Sequence, residues 1–293
     1  MNSTFRFLSL LLFLLISTQI AFATEPAEVL ARKALSENAA ASSAAIEELR
    51  SLGPAGLQAL MVQYAEQINA RIANPSAAPS EEWQRISAAL DAVAQQRNSY
   101  IAGLYWYTDL NEAKKASKAL GKPILSLRLL GKLTEEFSCA NSRFFRTVLY
   151  PNEAVSTVLH DRFVLHWQSV RPAPKVTIDF GDGRKLERTL TGNSIHYILD
   201  SDARPLDALP GLYGPRAFVR GLLNAESLFK SLAGKTAAQR SFFLRGYYDD
   251  QHNKISAAWT SDIEKIGGTV PRGFKVVKSS DGDALSIAPL AVT

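Results

Sequence analysis

The hydrophobic period of this chain changes near Leu104, and that change limits the folds open to it. Upstream, apolar residues recur at helical spacing. Leu57, Leu60, Met61, Tyr64, Ile68 and Ile72 fall on one stripe, and Trp83, Ile86, Leu90, Val93, Ala94 and Ile101 on another. The spacing predicts a first helix over residues 24–35 with Pro26 near its start, where proline is tolerated. A short helix follows over 46–52, ended by Gly53-Pro54. Residues 74–79 read as a linker, and Ser80 caps the next helix with Glu81 and Glu82 in its first turn.

Downstream, helices alternate with strands. Asp109 and Glu112 form a capping signal for a helix that runs to Leu120 and stops at Gly121, with Pro123 just beyond. Strands are expected at 124–130, 163–167 and 195–199, with a further strand ending at Pro210-Gly211. Helices are expected at 140–149 and 152–159, and Pro215 opens another that carries Phe218, Leu222 and Leu223. Residues 176–180 and 184–190, joined by Gly181-Asp182-Gly183, read as a hairpin. Asp179 and Asp182 lack the alternating acids and terminal Glu of a calcium loop. Helices and strands in this order predict an α/β fold: a sheet covered by helices, with an N-terminal helical region at 24–103 and a C-terminal helical extension and tail at 233–293.

Residues 1–23 set the expected compartment. Arg6 precedes an apolar run at 7–16, and Ala21-Phe22-Ala23 forms a small-residue cleavage site. That order is a secretory signal peptide, too short in its apolar part to span a bilayer, so the mature chain is expected to be periplasmic or secreted. No membrane association is expected after cleavage. A net charge of +5, spread among acids with no aromatic–basic cluster, argues against a nucleic-acid partner. His160, His166, His196 and His252 lack metal-ligand spacing, so no metal and no cofactor is expected. Cys139 is the only cysteine, which leaves no internal disulfide.

Gly121-Lys122-Pro123, the strand after it, and Cys139-Ala140-Asn141-Ser142 at the start of a helix resemble the exported thioredoxin-like proteins. So do Ile195-His196-Tyr197-Ile198-Leu199-Asp200 and Leu206-Asp207-Ala208-Leu209-Pro210-Gly211, which are similar to that family's last two strands. The resemblance covers residues 104–232. It implies a thioredoxin-like central sheet, with Cys139 at the position of the reactive thiol and Asn193 and Ser194 beside it as substrate-binding residues. Three departures stand out. Ser142 replaces the second cysteine of a C-x-x-C pair, Ser194 stands where the family has a cis-proline, and residues 171–191 are an insertion. A cis bond before a non-proline residue costs roughly 3 to 4 kcal/mol, so a trans bond is expected there.

A thiol reacts as the thiolate, which positive charge and N–H donors favour. A helix start at Cys139, the Ser142 hydroxyl and the Arg143 guanidinium four residues on supply both. Arg146 lies one turn further, and Arg143 and Arg146 read either as helpers of the thiol or as a solvated face. His196 on its strand reads either as a base facing Cys139 or as a satisfied core or surface histidine. Arg128, between Leu127 and Leu129 on a strand, either sits at the sheet's rim or reaches a carboxylate such as Asp200. Two functions stay open. One is monothiol exchange with a protein or small thiol through Cys139, Ser142 and Arg143, which needs the sulfur near the surface. The other is a non-catalytic thioredoxin-like binding or scaffold module, in which Cys139 is a small buried hydrophobe and the added helices and hairpin form the partner surface.

Overall fold

The computed structural model describes residues 25–189 and 192–270. The expected signal peptide and the C-terminal tail from residue 271 lie outside the described residues. Those residues form a mixed α/β structure of ten α-helices, a four-stranded mixed sheet and a separate two-stranded sheet. Among them no helix is long and apolar enough to cross a membrane.

The chain starts with α1 (Ala27–Lys33), α2 (Ala39–Ser51), α3 (Pro54–Gln63), α4 (Ala65–Ala73) and α5 (Glu81–Ala94). The expected short helix at 46–52 is in fact the end of α2, which takes in the whole Ala/Ser run because Asn38 caps it by accepting from the Ala41 N–H. The single stripe at 57–72 breaks into α3 and α4 at Tyr64 (φ −116°, ψ 27°), which is buried with its hydroxyl donating to the Ala31 carbonyl at 3.2 Å. Ile101 is not on α5. The helix ends at Gln95, which is left-handed, and Ile101 falls in a 3₁₀ turn, 38% exposed. Leu30, Leu49, Leu57, Leu60, Ile86 and Leu90 make the core of this layer.

Asp109 caps α6 (Leu110–Leu120), accepting from the Asn111 and Glu112 N–H groups, and Gly121 ends it at φ +63°. The sheet order is β2 (Val164–Arg171), β1 (Ile124–Leu130), β5 (Ser194–Leu199), β6 (Pro205–Pro210). β1 runs parallel to β2 and antiparallel to β5, and β5 runs antiparallel to β6. Side chains alternate by two along β1. Leu125, Leu127 and Leu129 enter the larger core with Phe145, Leu149, Phe218 and Leu222. Ile124 faces the other way, into a smaller cluster with Ala113 of α6 and Val164.

The larger core is closed by α7 (Ala140–Phe144), a π-helical turn over Phe145–Leu149, α8 (Glu153–Arg162) and α9 (Pro215–Ser231). The expected helix at 140–149 is thus interrupted by the π turn, which places both Phe145 and Arg146 in the interior. The hairpin forms as β3 (Lys175–Asp179) and β4 (Lys185–Thr189), paired with each other and outside the main sheet. Its expected last residue, Leu190, lies outside the described residues. α10 (Ala237–Lys265) is anchored on β6 through its first turns: the Tyr248 hydroxyl donates to the Leu206 carbonyl at 2.8 Å, and Tyr247 bonds the Asp207 carboxylate.

Close approach of α3 to α2 depends on Gly56. A β-carbon built there would lie 1.9 Å from the Leu49 carbonyl oxygen, which is backbone and cannot rotate away. Gly56→Ala is expected to cost about 2 kcal/mol or more, within the range for overpacking. A urea denaturation midpoint equal to that of the parent protein would contradict this contact.

Candidate functional site

β1 ends at Leu130, and the chain returns through a loop whose last residues pass back under it. The Cys139 N–H donates to the Leu130 carbonyl at 3.1 Å, which sets Cys139 at the end of the strand. Cys139 is the N-cap of α7 (φ −59°, ψ 157°) and its sulfur accepts from the Ser142 N–H at 3.4 Å. The expected handover from strand to helix is therefore present. The expected surface position of the sulfur is not: Cys139 is 0% exposed and belongs to the larger core.

What covers the sulfur is the return from the hairpin. Thr189, at the end of β4, donates from its hydroxyl to the Ser138 carbonyl at 2.9 Å. Gly192 lies so close to α7 that a β-carbon there would be 2.2 Å from Asn141 Oδ1. The Asn193 carbonyl faces the sulfur and accepts from Cys139 Sγ at 3.8 Å. Ser194 Oγ accepts from Asn141 Nδ2 at 2.9 Å. The Asn193 carbonyl therefore lies against the thiol, and Ser194 lies against α7. Ser194 is buried there, and Asn193 is half-buried. No cis peptide bond is present among the described residues, so the bond before Ser194 is trans, as expected.

Ser142 differs from expectation in the same direction. Its hydroxyl does not donate to the sulfur. It donates to the Cys139 carbonyl at 2.9 Å and is hydrogen-bonded to Ser138 Oγ, and both serines are fully buried. Only the backbone N–H of Ser142 meets Sγ. Arg143 is half-buried, and its guanidinium makes no hydrogen bond or ion pair with Cys139 among the described residues. Arg146, read as a helper of the thiol or a solvated residue, is neither. It is 1% exposed, its Nη2 donates to the Glu136 carbonyl at 2.9 Å, and burial lowers its pKa from the usual value. The π turn moves it off the surface stripe that a regular helix would have given it.

His196 does not serve as a base for Cys139. Its Nε2 is 2.7 Å from the Tyr150 hydroxyl, and its ring packs edge-on against Phe145 and Phe218 at 4.7 and 5.0 Å. Burial pushes the His196 pKa down to about 3, so the ring is neutral at ordinary pH. Burial also drives the Tyr150 phenol well above its usual pKa, with the nearby Cys139 adding to the shift. Arg128 does not reach Asp200: it bonds the neighbouring Gln168 side chain across the β1–β2 pair, while Asp200 is held by Arg204 at 2.8 Å and Arg240 at 2.6 Å. No cluster of three His, Cys, Asp or Glu side chains suited to a metal ion occurs among the described residues.

Sequence reasoning missed the two buried histidine pairings. Tyr150–His196 joins the π turn to β5, and His166 Nδ1 lies 2.8 Å from Ser126 Oγ on the opposite face of the sheet. A histidine at an inward position of an apolar strand was the available signal. His166 is pushed down to about 4, first by burial and then by the Arg128 charge.

Both folded pKa values lie below the unfolded value of about 6.5. The neutral rings therefore contribute stability that is complete above pH 6.5 and is lost as the unfolded chain takes up protons below it. Between pH 6.5 and 5, unfolding free energy is expected to fall with a slope approaching about 1.4 kcal/mol per pH unit for each ring. Urea titrations should show that His196→Gln removes one ring's share of the slope. An unchanged slope in that variant would refute the neutral buried imidazole.

Comparison with known proteins returns no similarity to set beside this geometry: no family model, no curated protein and no solved structure matches the chain.

Proposed function

We propose that this chain is an exported, thioredoxin-like binding module in which Cys139 is a structural group. The carrying observation is the sulfur at 0% exposure, closed in by the Asn193 carbonyl, the Ser142 N–H and the segment around Gly192. The element order supports the thioredoxin-like part of the reading. A strand, the Cys139 helix, a parallel neighbour, an antiparallel strand pair and a closing helix follow one another as the resemblance implies. Export rests on the signal-peptide pattern in residues 1–23.

Exchange chemistry needs an attacking thiolate that a partner disulfide can approach in line. Here the hairpin insertion supplies the cover, and Ser142 provides no resolving thiol. The insertion and the C-terminal extension instead present apolar side chains outward: Ile178 and Phe180 on the hairpin are 47% and 53% exposed, and Phe242 on α10 is 70% exposed. Such side chains on added elements suit a module that docks a partner protein.

Glutathione disulfide separates the two functions. Native protein held with excess glutathione disulfide at about pH 8 and quenched in acid should carry no mixed disulfide by intact mass, and the same treatment in guanidinium should add one glutathione per chain. Cys139→Ala should fold with a loss of about 1 kcal/mol, a change typical of a small core deletion. Rapid glutathionylation of the native protein would replace the binding reading with monothiol exchange through Cys139.

A further inference from the structure

The binding reading leaves the partner's chemistry open, and a groove between the starts of α8 and α9 supplies it. The groove encloses about 870 Å³ and is lined by Asn152 and Ala154 on one side and by Pro215, Arg216, Arg220 and Leu223 on the other. Ala217 and Val219 complete an aliphatic floor of small side chains. Leu212, three residues before Pro215, is 55% exposed. The volume falls in the range that holds a few side chains of a ligand.

The charges on this groove are uncompensated. Arg216 and Arg220 are exposed, four residues apart, and share one face of α9. Like charges at that spacing repel, and the helix start carries no acid in its first turn to offset them. Among the described residues neither arginine forms an ion pair or a side-chain hydrogen bond, whereas Arg162, Arg204 and Arg240 each hold a carboxylate. Arginine forks match carboxylates bidentately, so two of them one turn apart suit two acidic side chains on an incoming segment. The aliphatic floor between them suits the apolar side chains of that segment. No aromatic residue lines the groove, which removes the stacking platform a nucleic acid would use.

We propose that the groove between α8 and α9 docks an acidic, aliphatic segment of a partner protein, with Arg216 and Arg220 gripping its carboxylates. This proposal rests on the binding-module reading and names the partner class for it. The net charge of +4 left on residues 24–293 once Arg6 is removed (+5 less one) steers such a partner toward the chain, so association slows as salt rises.

The test selects a library of random dodecapeptides on the full chain, with Arg216→Glu/Arg220→Glu protein as competitor. The expected result is enrichment of sequences that combine Asp or Glu with Leu, Ile or Val. Each synthesised peptide should bind the double variant at least tenfold more weakly and lose affinity as salt rises, while Arg216→Gln/Arg220→Gln should show an intermediate loss. Equal unfolding midpoints of the parent and both variants confirm that the fold is intact. No enrichment, enriched sequences without acids, or equal affinity for the double variant would overturn the proposal. So would a dimer that the double variant dissociates, or binding of phosphatidylglycerol vesicles that requires both arginines. Thiol accessibility is read on the same samples: a reactive native Cys139 defeats the binding-module reading without bearing on the groove, and a failed selection defeats the groove while leaving the buried thiol in place.

Discussion

The segment around Trp106 joins the helical layer to the sheet, and the remaining packing depends on it. Its indole N–H donates to Gln96 Oε1 at 2.7 Å inside the core. Its backbone N–H donates to the Ala94 carbonyl at 3.0 Å, and its carbonyl accepts from Arg50 Nη2 at 2.7 Å. One residue on, Tyr107 donates to the Leu165 carbonyl and accepts from the Trp167 N–H, which adds a short bridge at the outer edge of β2. Trp167 returns the connection by donating its indole N–H to the Gln95 carbonyl. An unsatisfied buried donor costs about 1 to 3 kcal/mol, so removing any member of this set weakens both layers together.

Trp106 also fixes the side of the sheet on which the thiol lies. Its ring is 5.4 Å from Tyr150, whose hydroxyl meets His196, and Phe145 stacks on the Tyr150 ring. This aromatic block holds the π turn against β5. The helix that begins at Cys139 is thereby pressed onto the sheet, and the return from the hairpin closes over its first turn. Burial of the sulfur follows from two contributions: an aromatic floor set by Trp106 and Tyr150, and a polar cover set by Thr189, Asn193 and Ser194.

Local signals were legible in the sequence where a single element decided the outcome. Asp109 and Gly121 bound α6 as expected, Ser80 caps α5, and the Gly181-Asp182-Gly183 turn joins two paired strands. Cys139 falls at the junction of strand and helix for the same reason: Pro123 and the apolar run at 124–130 are local. What the sequence hides depends on a distant partner. Tyr64 interrupts a helical stripe because its hydroxyl meets α1, and Arg146 leaves its stripe because the π turn rotates it inward. The exposure of Cys139 depends on residues some fifty positions away, Asn193 being separated from it by 54. The β3–β4 hairpin was visible in the sequence, but the seat of its return segment on α7 is a tertiary fact. Uncompensated charge on Arg216 and Arg220 was hidden likewise, because pairing across elements has no sequence period.

Closure over the sulfur is the claim on which the binding account stands, and thiol alkylation kinetics in the folded protein test it most directly. Iodoacetamide labelling of Cys139 between about pH 6 and 9 should proceed only as fast as the protein opens. It should accelerate steeply with urea toward the unfolding transition and reach the rate of an unstructured thiol beyond it. Fast labelling in buffer alone, rising with a titration midpoint well below the free thiol value of about 8.5, would contradict the account.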